Sequence, residues 1–181
     1  RDTKLGLSGK EIDIFKETIF NFLDNALKKI NYGIKKAEIK SGLYAGYFIN
    51  EIIEYEISQE KYIIPKKFSQ KKLPLFLEAQ MHALRLADNK KEAKKIYQAT
   101  KKSALFDKKL KMYKVTASLL QAPLEIGRCR AFPSGWLENE SIWLHMEYKY
   151  LLEVLKKELF DEFYKDFKNV LIPFQNPLKY G

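Results

Sequence analysis

Cysteine, histidine, arginine and glycine are all scarce in this 181-residue chain, which holds one Cys, two His and eight Gly. A lone Cys129 excludes an internal disulfide and suits a reducing compartment, so a cytoplasmic location is expected. His82 and His145 lie far apart, and no Cys or His cluster has metal-ligand spacing, so no metal is expected. No glycine-rich loop is built to cradle phosphates, and no organic cofactor is expected. No apolar run approaches the ~20 residues that a membrane helix needs. No signal or transit segment is visible, so a membrane partner is not expected either.

Arginine occurs only at Arg1, Arg85, Arg128 and Arg130. That scarcity bears on the net charge of +10, which otherwise invites a nucleic-acid reading. Arginine is the preferred fork for bases and phosphates. Here the charge is carried by lysines set beside glutamates, as in "KKEAKK" and "LKKEL", a pattern of solvated helix faces. No nucleic-acid partner is expected. The apolar fraction of 46% is ample for a folded domain, and the length suits one domain with a sizeable core. A chain that begins at Arg1 and ends at Gly181 is expected to be a piece of a larger polypeptide, whose remainder would be its first partner. A homodimer is compatible with this reading.

Periodicity points to helices. Ser8 with Glu11 forms a capping-box pattern, followed by Ile12, Phe15, Ile19, Phe22, Leu23, Ala26, Leu27 and Ile30 at helical spacing, with Gly33 as the expected stop. A short helix is expected over 34–40. The stretch "LYAGYFINEIIEYEI" has strand-like composition, but its length and the series Tyr44, Phe48, Ile52, Tyr55 favour a helix. "IIPKKFSQKK" reads as a loop. Further helices are expected after Pro74, with Phe76, Ala79, Ala83 and Leu86 inward, and after the Asn89–Glu92 capping pair, with Ala93, Ile96, Tyr97 and Thr100 inward. A long connection then leads to two helices, "IWLHMEYKYLLEVLKKEL" and "FDEFYKDFKNVL". The expectation is a single all-α domain, residues 1–181, without an internal linker. "LADNKKEAKKIYQAT" resembles the helix-to-helix step of a tetratricopeptide unit, so a helical interaction scaffold without catalysis is the alternative. The stretch occurs once, where a solenoid needs several copies.

The most informative stretch is "FPSGWLENESIWLHMEYKYLLEVL", residues 132–155. Carboxylates before a helix can serve its free N–H groups and dipole, which suits Glu140. Glu138, Trp136 and Trp143 ask for more. A tryptophan face beside carboxylates and amides is the composition of a sugar site. His145 falls in the first helical turn, where an anion is favoured. Arg128 and Arg130 lie just upstream and could add to the same field. These residues leave both a polar-ligand site and a capped, packed helix open.

"FPSGWLENESIWLH" resembles a motif of inverting disaccharide phosphorylases of the cellobiose phosphorylase type: Phe/Tyr-Pro-Pro-Gly, two variable residues, Glu-Asn-Gly-Gly, three residues, His. Phe132, Pro133, Gly135, Glu138, Asn139 and His145 match. "LPLFLEAQMHALRL", "KLKMYKV" and "LIPFQNPLKYG" extend the resemblance to cellobiose phosphorylase-like proteins from about Lys72 onward. The resemblance implies several helices of an (α/α)6 toroid-type catalytic domain. It also implies a carbohydrate substrate, with inorganic phosphate as co-substrate of phosphorolysis. Glu138, with Asn139, Glu140 and Trp136, would contact sugar. His145, with Arg128 and Arg130, would contact phosphate. Inverting phosphorolysis needs one protein carboxyl group as general acid, since phosphate is the nucleophile. The family carries that acid in a Trp-Asn-Asp motif, which this sequence lacks and which would lie upstream of Arg1. No catalytic residue is therefore assigned, and the chain by itself is expected to be inactive. Two departures bear on phosphate use. Glu140-Ser141 replaces Gly-Gly, and Met146 stands where the family has a small hydroxyl residue, so hydrolysis is an open variant.

Overall fold

The computed structural model describes residues 12–39 and 41–180. The chain divides into two units, Arg1–Ala37 and Glu38–Gly181. In the first, α1 spans Lys16–Ala37. It carries an apolar face that includes Ile19, Phe22, Leu23, Leu27 and Ile30, yet none of its residues is buried. Gly33, expected to stop this helix, lies inside it, at a cost of about 0.5–1 kcal/mol relative to Ala. The helix expected over 34–40 is instead the last turn of α1 followed by β1, Glu38–Ile39. The Ser8–Glu11 pair lies outside the described residues.

In the second unit β1 pairs antiparallel with β2, Leu43–Tyr44. The turn between them uses Gly42 at φ 82°, a left-handed conformation in which a side chain would be strained. Next comes a hairpin of two ten-residue strands, β3, Phe48–Ile57, and β4, Ile63–Lys72. Its turn is closed by Lys61 N–H donating to the Ser58 carbonyl and by Ser58 N–H donating to the Tyr62 carbonyl, 2.9 Å each. A third small hairpin joins β5, Phe106–Asp107, to β6, Met112–Tyr113.

These sheets overturn the all-α expectation, and the (α/α)6 toroid with it. The chain is mixed α/β, 49% helical and 19% strand, with three small antiparallel sheets. The stretch read as a helix over Leu43–Ile57 forms β2 and β3, and the stretch read as a loop forms β4. Its β-branched and aromatic residues suit a pleated surface. Opposed charges add to the pairing: Lys71 with Glu51 at 2.7 Å, Lys67 with Glu54 at 2.9 Å, and Lys66 with Glu56 at 2.8 Å. Pro65 is tolerated in β4 because it sits beside a register shift, opposite Tyr55, where ladder hydrogen bonding is already interrupted.

The core is helical. It is built from α2, Leu77–Leu86; α3, Lys90–Lys102; α4, Leu144–Lys156; and α5, Phe160–Val170. Helix α2 packs on α3 and α4, and α4 packs on α5. Asn89 caps α3 as expected, accepting from Glu92 N–H at 3.0 Å, while the Glu92 carboxylate accepts from Asp88 N–H at 2.9 Å. Ala93, Ile96, Tyr97 and Thr100 all face inward. Leu84, Tyr113, Tyr150, Leu151 and Val154 form the centre of the apolar cluster. Within it Asp166 accepts hydroxyl hydrogen bonds from Tyr97 at 2.9 Å and Tyr113 at 2.8 Å, and pairs with Lys101. Among the described residues no helix is long and apolar enough to cross a membrane.

Candidate functional site

The site is assembled by the segment 114–119, an extended stretch that links two otherwise separate parts of the unit. On one side Phe76 bridges to Thr116, Leu77 N–H donates to the Val115 carbonyl at 2.9 Å, and Ala117 N–H donates to the Leu75 carbonyl at 2.8 Å. On the other, Val115 N–H donates to the Ser141 carbonyl at 2.8 Å. The buried Thr116 hydroxyl donates to the Glu138 carbonyl at 2.6 Å and accepts from Glu140 N–H at 3.2 Å. Backbone pairing and the Thr116 hydroxyl together therefore fix the Pro133–Ser141 loop against the start of α2.

The loop is tight because its own residues close it. Gly135, at φ 85°, donates its N–H to the Asn139 carbonyl at 2.8 Å, and Asn139 N–H donates to the Trp136 carbonyl at 3.1 Å. Leu137 at φ 44° and Glu140 at φ 58° also take left-handed backbone, a strained state for a residue with a side chain. Asn139 is completely buried. Its Oδ1 accepts from Leu119 N–H at 2.8 Å and its Nδ2 donates to the Phe132 carbonyl at 2.7 Å. That side chain ties the loop to Leu119 on one side and to its own start at Phe132 on the other.

This backbone sets Glu138 apart from its neighbours. Glu138 lines a cavity of about 190 Å³ together with Tyr47, Leu73, Phe76, Leu119, Ile126 and Cys129. Its Oε2 is buried without a hydrogen-bond partner. The Tyr47 ring meets the Phe76 ring edge-on at 4.6 Å, and the Tyr47 hydroxyl is occupied by Glu78, 3.1 Å away. Burial, and then the nearby Glu78 carboxylate, push the Tyr47 phenol upward from its ordinary value.

The other residues singled out in the sequence have different surroundings. Glu140 is taken by Lys114 and Ser134, both at 2.8 Å, and the Lys114 ammonium holds its carboxyl below the usual range. Trp136 is exposed and stands edge-on to Phe132, with ring centres 5.3 Å apart. His145 is exposed in the first turn of α4 and stacks on Trp143 at 5.6 Å. Arg128 is exposed and Arg130 half-buried on the 3-10 segment Leu124–Ala131, where Arg130 Nε donates to the Leu120 carbonyl at 3.4 Å. Among the described residues no hydrogen bond, ion pair or ring contact joins His145 to either arginine. Neither Glu138 nor Glu140 caps α4, which starts after Trp143 without a side-chain cap. No cluster of three or more His, Cys, Asp or Glu side chains able to hold a metal ion occurs among the described residues.

Sequence reasoning missed most of the cavity wall. Tyr47, Leu73, Phe76, Leu119 and Ile126 come from four separate stretches, and nothing local marks them as neighbours of Glu138. Cys129 reads in sequence as a bystander thiol between two arginines, yet it lines the cavity. Comparison with known proteins adds no relative, because no protein-family model and no curated protein matches the chain.

Proposed function

We propose that this chain contributes part of the substrate site of a carbohydrate-active enzyme acting on a β-linked glycoside. Disaccharides and oligosaccharides are the members of that class to which the motif resemblance points. The observation that carries the reading is Glu138, which lines a cavity with two aromatic rings and holds its buried Oε2 without a hydrogen-bond partner. A buried acceptor left unpaired costs on the order of 1–3 kcal/mol, and a ligand hydroxyl would repay it. Asn139 and Thr116 hold the loop that presents Glu138, so the carboxylate is positioned before any ligand arrives.

Phosphorolysis is the form the motif favours, with His145 and the two arginines as the phosphate contacts, and hydrolysis is the variant. The charge added by Glu140 is balanced by Lys114 at 2.8 Å, which lessens its repulsion of an anion. The general acid is not assigned to this chain. Glu147, whose carboxyl is pushed up to about 8 by burial, is enclosed in the core and presents no surface to a substrate. A cytoplasmic setting belongs to the same reading.

The test uses the whole polypeptide that contains this sequence, incubated with β-linked disaccharides with and without inorganic phosphate. Sugar 1-phosphate formed only with phosphate identifies phosphorolysis, and free monosaccharide in both cases identifies hydrolysis. Glu138→Gln should lower turnover at least tenfold while the thermal midpoint stays unchanged. Equal turnover by the variant and the parent would remove Glu138 from the site.

A further inference from the structure

Helix α1 is amphipathic along its length, yet it buries none of its residues. Phe20, Leu23, Leu27, Ile30 and Ile34 recur at alternating steps of three and four, the heptad spacing of a seam between two helices. All five are exposed. A helix draws most of its stability from packing an apolar face, so this seam calls for a partner.

The two edges of the seam identify it. At about 100° per residue, Ile19, Ala26 and Gly33 line one edge. Glu17 and Asp24 lie along the other, followed towards the C-terminal end by Lys28 and Lys35. When a helix packs antiparallel on a copy of itself, like edges meet and run in opposite directions. With the two-fold axis at Ala26, Glu17 lies level with Lys35 of the second copy, and Asp24 with its Lys28, so opposite charges meet. On the other edge Ile19 lies level with Gly33 of the second copy, a large side chain against none. Gly33 has no such reason within its own chain. A glycine inside a helix disfavours it, and beyond the helix's own backbone a Cβ there would meet nothing within 4 Å. Parallel pairing would instead crowd the lysines of both C-terminal halves together. An anionic membrane would draw those lysines but would also meet Glu17 and Asp24 at the edge of the apolar face.

We propose that α1 is a dimerisation helix whose partner is α1 of a second copy of this chain, packed antiparallel with the two-fold axis at Ala26. The pairing is independent of the glycoside reading, since it uses no residue of the cavity or of the loop 132–141.

The test is sedimentation of the whole polypeptide that contains this sequence, which should show a monomer–dimer equilibrium across a concentration series. Gly33→Leu raises helix propensity, yet it should weaken the dimer about tenfold by filling the place of Ile19. Glu17→Lys with Asp24→Lys, and separately Lys28→Glu with Lys35→Glu, should each shift the equilibrium to monomer. Mixing those two variants should restore the dimer. In a Cys129→Ser background, Ala26→Cys should give a covalent dimer on mild oxidation, while Asn25→Cys, on the opposite face of α1, should not. A monomer at every concentration would overturn the proposal and mean that α1 is covered within its own polypeptide. A monomer that binds phosphatidylserine vesicles through α1 would overturn it in favour of a membrane surface. A dimer indifferent to Gly33→Leu and to the charge exchange would put the contact elsewhere and overturn it too, as would equal crosslinking by Asn25→Cys.

Discussion

Glu147 is the most perturbed acid in the core. Its side chain is fully buried, Oε1 accepts from Tyr113 N–H at 3.0 Å, and Oε2 has no partner. Burial raises its carboxyl from 4.5 to about 8, the Tyr113 N–H opposes the shift, and the Asp166 carboxylate adds to it. Between those two values the folded chain holds a proton that the unfolded chain has released. Stability from this group is therefore present below pH 4.5 and is lost as pH rises toward 8, with a slope of up to about 1.4 kcal/mol per pH unit. Glu140, Glu153 and Glu162 are lowered from the same starting value, so their contributions are lost below pH 4.5 and leave the window from 5 to 8 to Glu147. The thermal midpoint should fall across that window, and Glu147→Gln, which keeps an acceptor for Tyr113 N–H, should flatten the fall. A parent whose midpoint does not move between pH 5 and 8 would contradict the burial argument. Nothing in the sequence distinguished Glu147 from its exposed neighbours, because its environment is made by Tyr113 and Asp166, each far along the chain.

The loop 132–141 depends on Asn139 in a way that one substitution pair can separate. Asn139→Ala leaves the Leu119 N–H and the Phe132 carbonyl unpaired, at a cost on the order of 1–3 kcal/mol. Asn139→Asp keeps the acceptor for Leu119 but sets an oxygen against the Phe132 carbonyl, so it should be at least as destabilising as Ala. Chemical denaturation with an unchanged denaturant slope measures both, and a neutral Asp variant would refute the two-sided role. In sequence, Glu-Asn stood out as a pair of equals. The fold divides them, with Asn139 spent on the loop and Glu138 left for the cavity. The same limit explains the hairpin. Tyr44, Phe48 and Ile52 are spaced by four, which satisfies both a helix turn and an alternating strand. Tyr55 breaks the alternation, and the register shifts between Ile52 and Tyr55 absorb it. Part of the signal, the ion pairs of Glu51, Glu54 and Glu56 with Lys71, Lys67 and Lys66, lies in the partner strand and is invisible to any window along one segment. By contrast α3 was legible down to its cap and inward face, since Asn89, Glu92 and the series from Ala93 to Thr100 are all local.

Burial is distributed unevenly along the chain, and proteolysis should reveal it. Every fully buried large side chain lies between Leu77 and Val170, whereas α1 and the β3–β4 hairpin bury none of their residues. Three exposed Lys–Glu pairs bind the hairpin, and such pairs are worth about 0.2–1 kcal/mol each, less in salt. The core has stronger ties: Asp166 of α5 gathers Tyr97 and Lys101 from α3 and Tyr113 from β6, and Arg85 reaches Glu153 across α2 and α4 at 2.9 Å. Opening the hairpin exposes little new apolar surface, but opening α2 against α4 exposes the centre of the cluster, so their opening free energies should differ widely. Brief trypsin treatment should therefore cut first among the lysines from Lys16 to Lys72 and leave a resistant fragment starting near Leu73 and extending past Val170. Raising the salt concentration should speed the hairpin cuts and leave the core unaffected. Cuts appearing at the same rate within α3 or α4, at Lys94 or Lys149, would mean that the helical core opens as readily as the hairpin. The division of stability drawn from burial would then be wrong.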